Sequence, residues 1–379
     1  MSPIHNKAHY YNTINLQVEA LQQIVDVQID RCFDFKKLAG LMPEETLQGL
    51  RRVVMTGCGD SYSAAGAMLP SFKANSGIDA VSAPDPMDFC KFYTKADTCM
   101  GHQPQEVLVI AVSASGGSQR IVEIMEKGRA QGAHTLLITN NPESAGAKAA
   151  QFVFPVETPE GCNSPGLRSY FASMLALTAL GAYLGLIKHR LTRERFSQIQ
   201  QLIAAHVKAF VQVYEAVDQQ VYTLAKTWKD FKRFEVVGDW DEYFSAQFVE
   251  EKFIECAGVH CTHTNSEDWC HINFFLKDPE TIGTIFHAPY HAQNFDRVQN
   301  AIHTALAIGR PTLVVTDAPE EEVPEGAVYC RMPAPPEVWL SPITDFAPGS
   351  LLAAYVAALA DKLFFTGRYD FRTQTWLNM

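Results

Sequence analysis

The chain has no basic run longer than the Arg51-Arg52 pair, and its 42 acidic residues outnumber 31 basic ones for a formal charge of −11. That removes the electrostatic footprint expected of a nucleic-acid or anionic-membrane binder. Long apolar runs are also missing. The longest, Met174 to Ile187, covers 14 residues and is broken by Thr178 and two glycines, short of the roughly 20 needed to cross a bilayer, so it reads as a buried helix. Residues 1–14, MSPIHNKAHYYNTI, contain no apolar core of the kind that marks a secretory signal, and none is expected. Nine cysteines, odd in number and irregular in spacing, do not form a disulfide framework and fit reduced thiols in a cytoplasm. What is present is a globular composition, 47% apolar and 19% charged over 379 residues. At roughly 100 to 200 residues per domain, this length implies two or three domains.

The chain repeats itself. VVMTGCGDSYSAA (Val53 to Ala65) parallels FEVVGDWDEYFSA (Phe234 to Ala246), aligning Gly57 with Gly238, Asp60 with Asp241 and Tyr62 with Tyr243. Later, GAHTLLITNNPES (Gly132 to Ser144) parallels GRPTLVVTDAPEE (Gly309 to Glu321). Each is followed by a short extended stretch and a helix of small residues. The shared order implies duplication.

Continuous apolar runs at Val53 to Met55, Val107 to Val112 and Thr135 to Ile138 are bounded by Gly, Ser or Asn and separated by amphipathic segments. Runs of this kind are strands buried on both faces and alternating with helices. They predict a doubly wrapped parallel sheet in each half, with ligands at the carboxyl ends of the strands. Residues 1–45 read as a helical arm, and Arg193 to Trp228 has helical periodicity without Gly or Pro.

Two strand-to-helix turns stand out. Ser113-Ala114-Ser115-Gly116-Gly117-Ser118 offers three hydroxyls, two glycines and a helix N-terminus, a combination suited to an anion. The alternative is that Ser118 only caps the helix and the rest is a solvated turn. Gly57-Cys58-Gly59-Asp60-Ser61 adds another hydroxyl at the same sheet edge, but Tyr62 stands where a dinucleotide fingerprint needs its third glycine. Asp60 would repel a phosphate, so it either binds sugar hydroxyls or caps the helix.

Strand, CGDS turn, strand, SASGGS loop and helix, with the halves in tandem, resemble the sugar isomerase (SIS) domain. The pair resembles the isomerase half of glucosamine-6-phosphate synthase and the fructosamine-6-phosphate deglycases, over about residues 46–370. The resemblance implies an α/β fold of two SIS domains, each a flavodoxin-like three-layer α/β/α sandwich. It places a helical arm at 1–45, domains at 46–191 and 232–366, a helical linker at 192–231 and a tail at 367–379. It also implies a phosphorylated sugar or amino sugar as ligand, with the phosphate on Ser61, Ser113, Ser115 and Ser118. Gly59, Asp60, Ala114, Arg168 and Ser169 are further implied substrate contacts.

The resemblance further implies Glu255 as the catalytic carboxylate, with His271 sixteen residues later and His260 between them. Here Glu267-Asp268 precedes His271 and Ile272-Asn273 follows it, where the family has Gly-Glu and Gly-Pro. Relatives implied by this likeness are homodimers with the site near the subunit interface, and His271 would act on the neighbouring subunit. Synthase-like relatives use a lysine in the tail, whereas this chain has none after Lys362. That disfavours imine-forming isomerisation; a deglycase or deaminase does not need that lysine, aldose–ketose isomerisation follows if the substrate is a simple ketose phosphate, and a non-catalytic sugar-phosphate sensor is the competing class.

Those residue types suit the chemistry. Moving a proton between C1 and C2 of an open-chain sugar requires a carboxylate that takes and returns it, and ring opening requires a group titrating near neutrality. Neither reaction needs a metal or organic cofactor and none is expected, and the spacings among Cys256, His260, Cys261, His263, Cys270 and His271 do not reproduce a zinc motif. On a helix from Asp241 to Ala257, Val249 and Phe253 define one apolar face. Phe244, Phe248, Glu251 and Glu255 lie opposite, as expected of a cleft or subunit contact.

Overall fold

The structure is a computed structural model and describes residues 21–158 and 165–367. Residues 1–20 of the expected arm and 368–379 of the expected tail lie outside the described residues. The chain divides into two compact units, one holding residues 23–158 and 168–204, the other residues 21–22, 165–167 and 205–367.

In the first unit, helices α1 (Leu21–Cys32), α2 (Phe35–Leu41) and α3 (Glu44–Gly49) precede the sheet. Asp34 ends the link between the first two by capping α2, accepting the Lys36 backbone N–H at 2.8 Å. Strands β1 (Arg52–Gly57), β2 (Ala80–Ser82), β3 (Val107–Val112), β4 (His134–Thr139) and β5 (Phe152–Pro155) pair in parallel in the order β2-β1-β3-β4-β5. All residues of β1 and β3 are buried, the signature of a sheet covered on both faces. The covering helices are α4 (Asp60–Ala67), α5 (Leu69–Ser76), α6 (Lys95–Cys99), α7 (Gln119–Ala130), α8 (Ala145–Ala149) and α9 (Leu167–Ile187). The apolar run that ends at Ile187 belongs to this longer helix of 21 residues, because Leu167 to Ser173 extend it N-terminally. By length and composition α9 could cross a membrane, but 89% of its most apolar window is buried in the protein.

Helix α10 (Arg193–Trp228) runs unbroken for 36 residues and leads into the second sheet. Strands β6 (Arg233–Val237), β7 (His260–Thr264), β8 (Ile282–His287), β9 (Thr312–Thr316) and β10 (Val328–Arg331) pair in parallel in the order β10-β9-β8-β6-β7. Counted from its first strand, this is the same winding as in the first sheet, so the sequence repeat is a repeat of topology. Both sheets reverse direction next to their first strand, where crevices open in doubly wound folds.

Residues of β6 alternate between the two faces. Phe234 stacks on Phe253 of α11 (Asp241–Ala257), with ring centroids 4.3 Å apart. Val237 instead joins Trp269 of α12 (Ser266–Ile272), Phe286 and Val298 of α13 (Phe295–Ala307) in a separate core. Helices α11 and α12 therefore lie on opposite faces of the second sheet. Helix α14 (Pro342–Leu359) packs on α11: Phe248 meets Phe346 edge-on at 5.4 Å, and a Cβ on Gly349 would fall 2.5 Å from Val249. The Phe248 side of α11 is thus closed by a helix of its own unit. Small residues on α14 permit that close approach.

Candidate functional site

Both turns singled out in the sequence stand at the carboxyl edge of the first sheet, after neighbouring strands β1 and β3. The turn after β1 is tight enough that a Cβ on Gly57 would sit 2.7 Å from the Ser61 backbone. The next glycine, Gly59, holds φ +54° and ψ −132° ahead of α4, a conformation that carries little cost only without a side chain. This puts Asp60 and Ser61 in the first turn of the helix, both half-buried.

The serine loop folds on itself. The Gly116 N–H donates to Ser113 Oγ at 3.1 Å and the Gly117 N–H to Ser115 Oγ at 3.4 Å. A serine oxygen that accepts in this way keeps its own O–H to donate outward, which suits an anionic ligand. Ser118 caps α7, accepting the Arg120 N–H at 3.2 Å. The capping expected as the bland alternative is therefore present, and it leaves the Ser118 hydroxyl hydrogen to donate. Gly116, at φ +61°, lies so close to Ser144 that a Cβ would come within 2.1 Å of its Oγ.

A small polar recess beside the loop is lined by Ala114, Thr139, Asn140, Thr158, Ser169 and Ser173. It brings together two predicted contacts, Ala114 and Ser169. Arg168, also predicted, is half-buried in the first turn of α9. Thr139 and Asn140 were not anticipated. Thr139 Oγ1 donates to the Ala114 carbonyl at 3.2 Å, and Asn140 Oδ1 accepts from the Thr158 hydroxyl at 2.9 Å. Their signal was the Thr-Asn-Asn that follows the apolar run of β4.

In the second unit Glu255 lies near the end of α11, and its Oε2 is 2.5 Å from the Lys252 Nζ. The Lys252 side chain is fully buried, that of Glu255 is 32% exposed, and the ammonium also sits 4.5 Å over the Phe248 ring. Lys252 is a polar group the sequence reasoning missed. Its signal was a lysine one helical turn before the glutamate, on an otherwise apolar flank.

His271 occupies the last turn of α12 with its side chain 68% exposed. Its Nε2 pairs with Glu267 Oε1 at 2.9 Å, and Glu267 Oε2 with Arg297 Nε at 2.6 Å. Hydrogen bonds from Arg297 and then His271 hold the Glu267 carboxyl below its ordinary range. Within one chain Glu255 and His271 stand on helices at opposite sheet faces and are not brought together. His260 is exposed at the start of β7, and His263 instead meets the Glu250 carboxylate and, at 4.7 Å, the Tyr243 ring. Among the described residues, no three His, Cys, Asp or Glu side chains are grouped to hold a metal ion.

Residues 46–183 match the SIS domain family. No curated protein matches the chain. Among solved structures, the C-terminal domain of glucosamine-fructose-6-phosphate aminotransferase from Francisella tularensis superposes with a TM-score of 0.80 at 16% identity, over 97% of this chain and 100% of that one. Glucosamine-6-phosphate deaminase from Thermotoga maritima superposes with a TM-score of 0.65 at 14% identity, over 93% of this chain and 96% of that one. At such identities the likeness establishes the fold: two parallel α/β sheets of the SIS type, as the sequence resemblance implied.

Proposed function

We propose that the chain is a phosphosugar-processing enzyme that moves a proton between C1 and C2 of a phosphorylated sugar or amino sugar. Its activity is of the fructosamine-6-phosphate deglycase or deaminase type, or aldose–ketose isomerisation. The single observation that carries this proposal is the serine loop. Neutral O–H donors preorganised by their own loop amides stand at the switch point of a parallel sheet, where small anionic ligands are held. Ser61, Ser113, Ser115 and Ser118 take the phosphate, with Gly59, Asp60, Ala114, Arg168 and Ser169 around the sugar. The SIS match covers this loop, and the two solved relatives carry names of amino-sugar phosphate enzymes.

Glu255 is assigned the C1–C2 proton and His271 the ring opening. The buried Lys252 beside Glu255 favours the ionised, proton-accepting carboxylate. His271 is assigned to a second copy of the chain in a cytoplasmic homodimer. Its exposure supports that assignment, as does the apolar surface around it, where Ile272 and Phe275 are 63% and 69% exposed. For a fructosamine substrate the rearranged imine takes up water and releases a sugar phosphate and an amine; for a ketose phosphate the product is the aldose phosphate.

The test is a panel of sugar phosphates and fructosamine 6-phosphates, screened for binding by calorimetry and then for turnover. Ser113→Ala combined with Ser115→Ala should weaken every phosphorylated ligand and leave non-phosphorylated sugars unaffected. Saturable binding without turnover across the panel would establish the sensor instead. Binding that the double substitution leaves unchanged would remove the serine loop from the site.

A further inference from the structure

The duplication gives the second sheet a carboxyl edge built on the same frame and lined by opposite chemistry. Gly238 repeats Gly57: a Cβ there would fall 2.2 Å from the Glu242 carbonyl oxygen. Trp240 repeats Gly59, with φ +56° and ψ −110°. The Ala288 N–H donates to the Val315 carbonyl at 2.9 Å just as the Ser113 N–H donates to Ile138 at 2.9 Å. On this frame Glu242 stands where the first unit has Ser61. Asp317 stands where it has Asn140, and Ala288 replaces Ser113 with His287 immediately before it.

Glu242 and His287 are each 1% exposed. His287 Nδ1 meets Glu242 Oε2 at 2.9 Å, while Glu242 Oε1 and His287 Nε2 are both buried without a hydrogen-bond partner. With the imidazole proton on Nδ1 and donated to the carboxylate, both orphan atoms are acceptors. More carboxylates surround them. Asp241 and Asp345 are 9% and 5% exposed, and the strongest charges acting on Asp345 are those of Glu242 and Asp317. Asp239 is close in sequence but already satisfied, by the Ser266 N–H at 2.9 Å and the Asn294 amide at 2.7 Å. His206, reaching this edge through Thr344 Oγ1 at 3.1 Å, contributes no positive charge, because burial holds it neutral.

We propose that this edge of the second sheet binds a small cation rich in N–H donors, ammonium or a primary ammonium group, between Glu242, His287 and Asp345. Two buried acceptors, one of them on the Glu242 carboxylate, need a ligand that donates hydrogen bonds. A positive one would hold as carboxylates the neighbouring aspartates, which burial and the Glu242 charge push toward their protonated form. A phosphate is excluded by the same charges. The first unit's edge, in contrast, presents neutral hydroxyls, so duplication has left one anion-directed and one cation-directed rim on a common backbone.

The experiment is thermal unfolding of the full chain at pH 8 and constant ionic strength, in ammonium, methylammonium, potassium or tetramethylammonium chloride. Ammonium or methylammonium should raise Tm saturably, by about 2 °C at tenfold its Kd, relative to tetramethylammonium. The difference between the first two tells whether the site takes the free ion or an alkylated amine. Potassium matching ammonium would overturn the donor assignment, and no saturable shift in any salt would overturn the site. Asp345→Asn and Glu242→Gln should each abolish the shift. Should either fail to fold, saturable broadening of the proton signal of 15N-labelled ammonium by wild type decides the matter alone; a line that stays sharp rejects the proposal. No sugar phosphate is used, so failure here leaves the phosphosugar proposal standing.

Discussion

Lys252 and Glu255 face each other across one turn of α11 at 2.5 Å, the ammonium wholly buried and the carboxylate open to solvent on one side. A buried lysine with a carboxylate partner costs several kcal/mol to strand, so the pair is kept as a unit. Substituting Glu255→Gln should keep ligand binding and lower kcat by about 10²- to 10⁴-fold, the span of a lost general base. Lys252→Met tests the pairing: the acid limb of the pH–rate profile should move to higher pH as the carboxylate loses its cation. A profile unchanged in Lys252→Met would reduce the lysine to packing.

The fold was legible because its signals are local and redundant. Buried parallel strands show as unbroken Val/Ile/Leu runs, and duplication repeats each turn at a fixed offset, so Gly57 and Gly238 identify each other. The serine loop was legible as a strand-to-helix turn for the same reason, since its glycines and its capping serine are local signals. The polarity of α11 was less so. Periodicity separates the Val249 face from the Phe248 face, but it cannot say that α14, about a hundred residues later, covers Phe248. His287 shows a sharper limit. It ends β8 just before a proline loop, with no local partner, and its carboxylate, Glu242, lies 45 positions away in sequence. Long-range pairing of this kind leaves no periodic trace.

Buried titratable groups pull stability in opposite directions as pH changes. Burial pushes the His206 imidazole down to about 4. The unfolded chain takes up a proton near 6.5, so this contribution is whole above that pH and is lost as pH drops toward 4, up to roughly 3 kcal/mol. Asp241 and Asp345 are pushed the other way, well above the usual carboxylate range, by burial first and by Glu242 second. Their contribution is whole below about 4, where unfolded aspartate holds its proton, and is lost as pH rises through the folded values. Urea unfolding across pH 4 to 9 should show stability lost with rising pH from the two aspartates, opposed below about 6.5 by His206. Asp345→Asn, which mimics the protonated group, should flatten the alkaline decline, and an identical slope in that variant would remove Asp345 as its source.

Trp240 holds a backbone conformation that its counterpart Gly59 adopts without strain. The two residues share a position in the repeat and nearly the same angles, φ +56° and +54°, yet only one has a Cβ to clash with its own carbonyl. A non-glycine residue held there costs of order 1–3 kcal/mol, and the indole, 64% exposed, recovers little of it by burial. Glycine in its place relieves the clash but adds freedom to the unfolded chain worth up to about 1 kcal/mol. Trp240→Gly should therefore stabilise the protein by about 1 kcal/mol, read as a higher urea midpoint at unchanged slope. Trp240→Ala keeps the Cβ and the strain, loses the ring, and should be no more stable than wild type. If alanine stabilises as much as glycine, the gain comes from removing an exposed indole, and the backbone at Trp240 carries no strain.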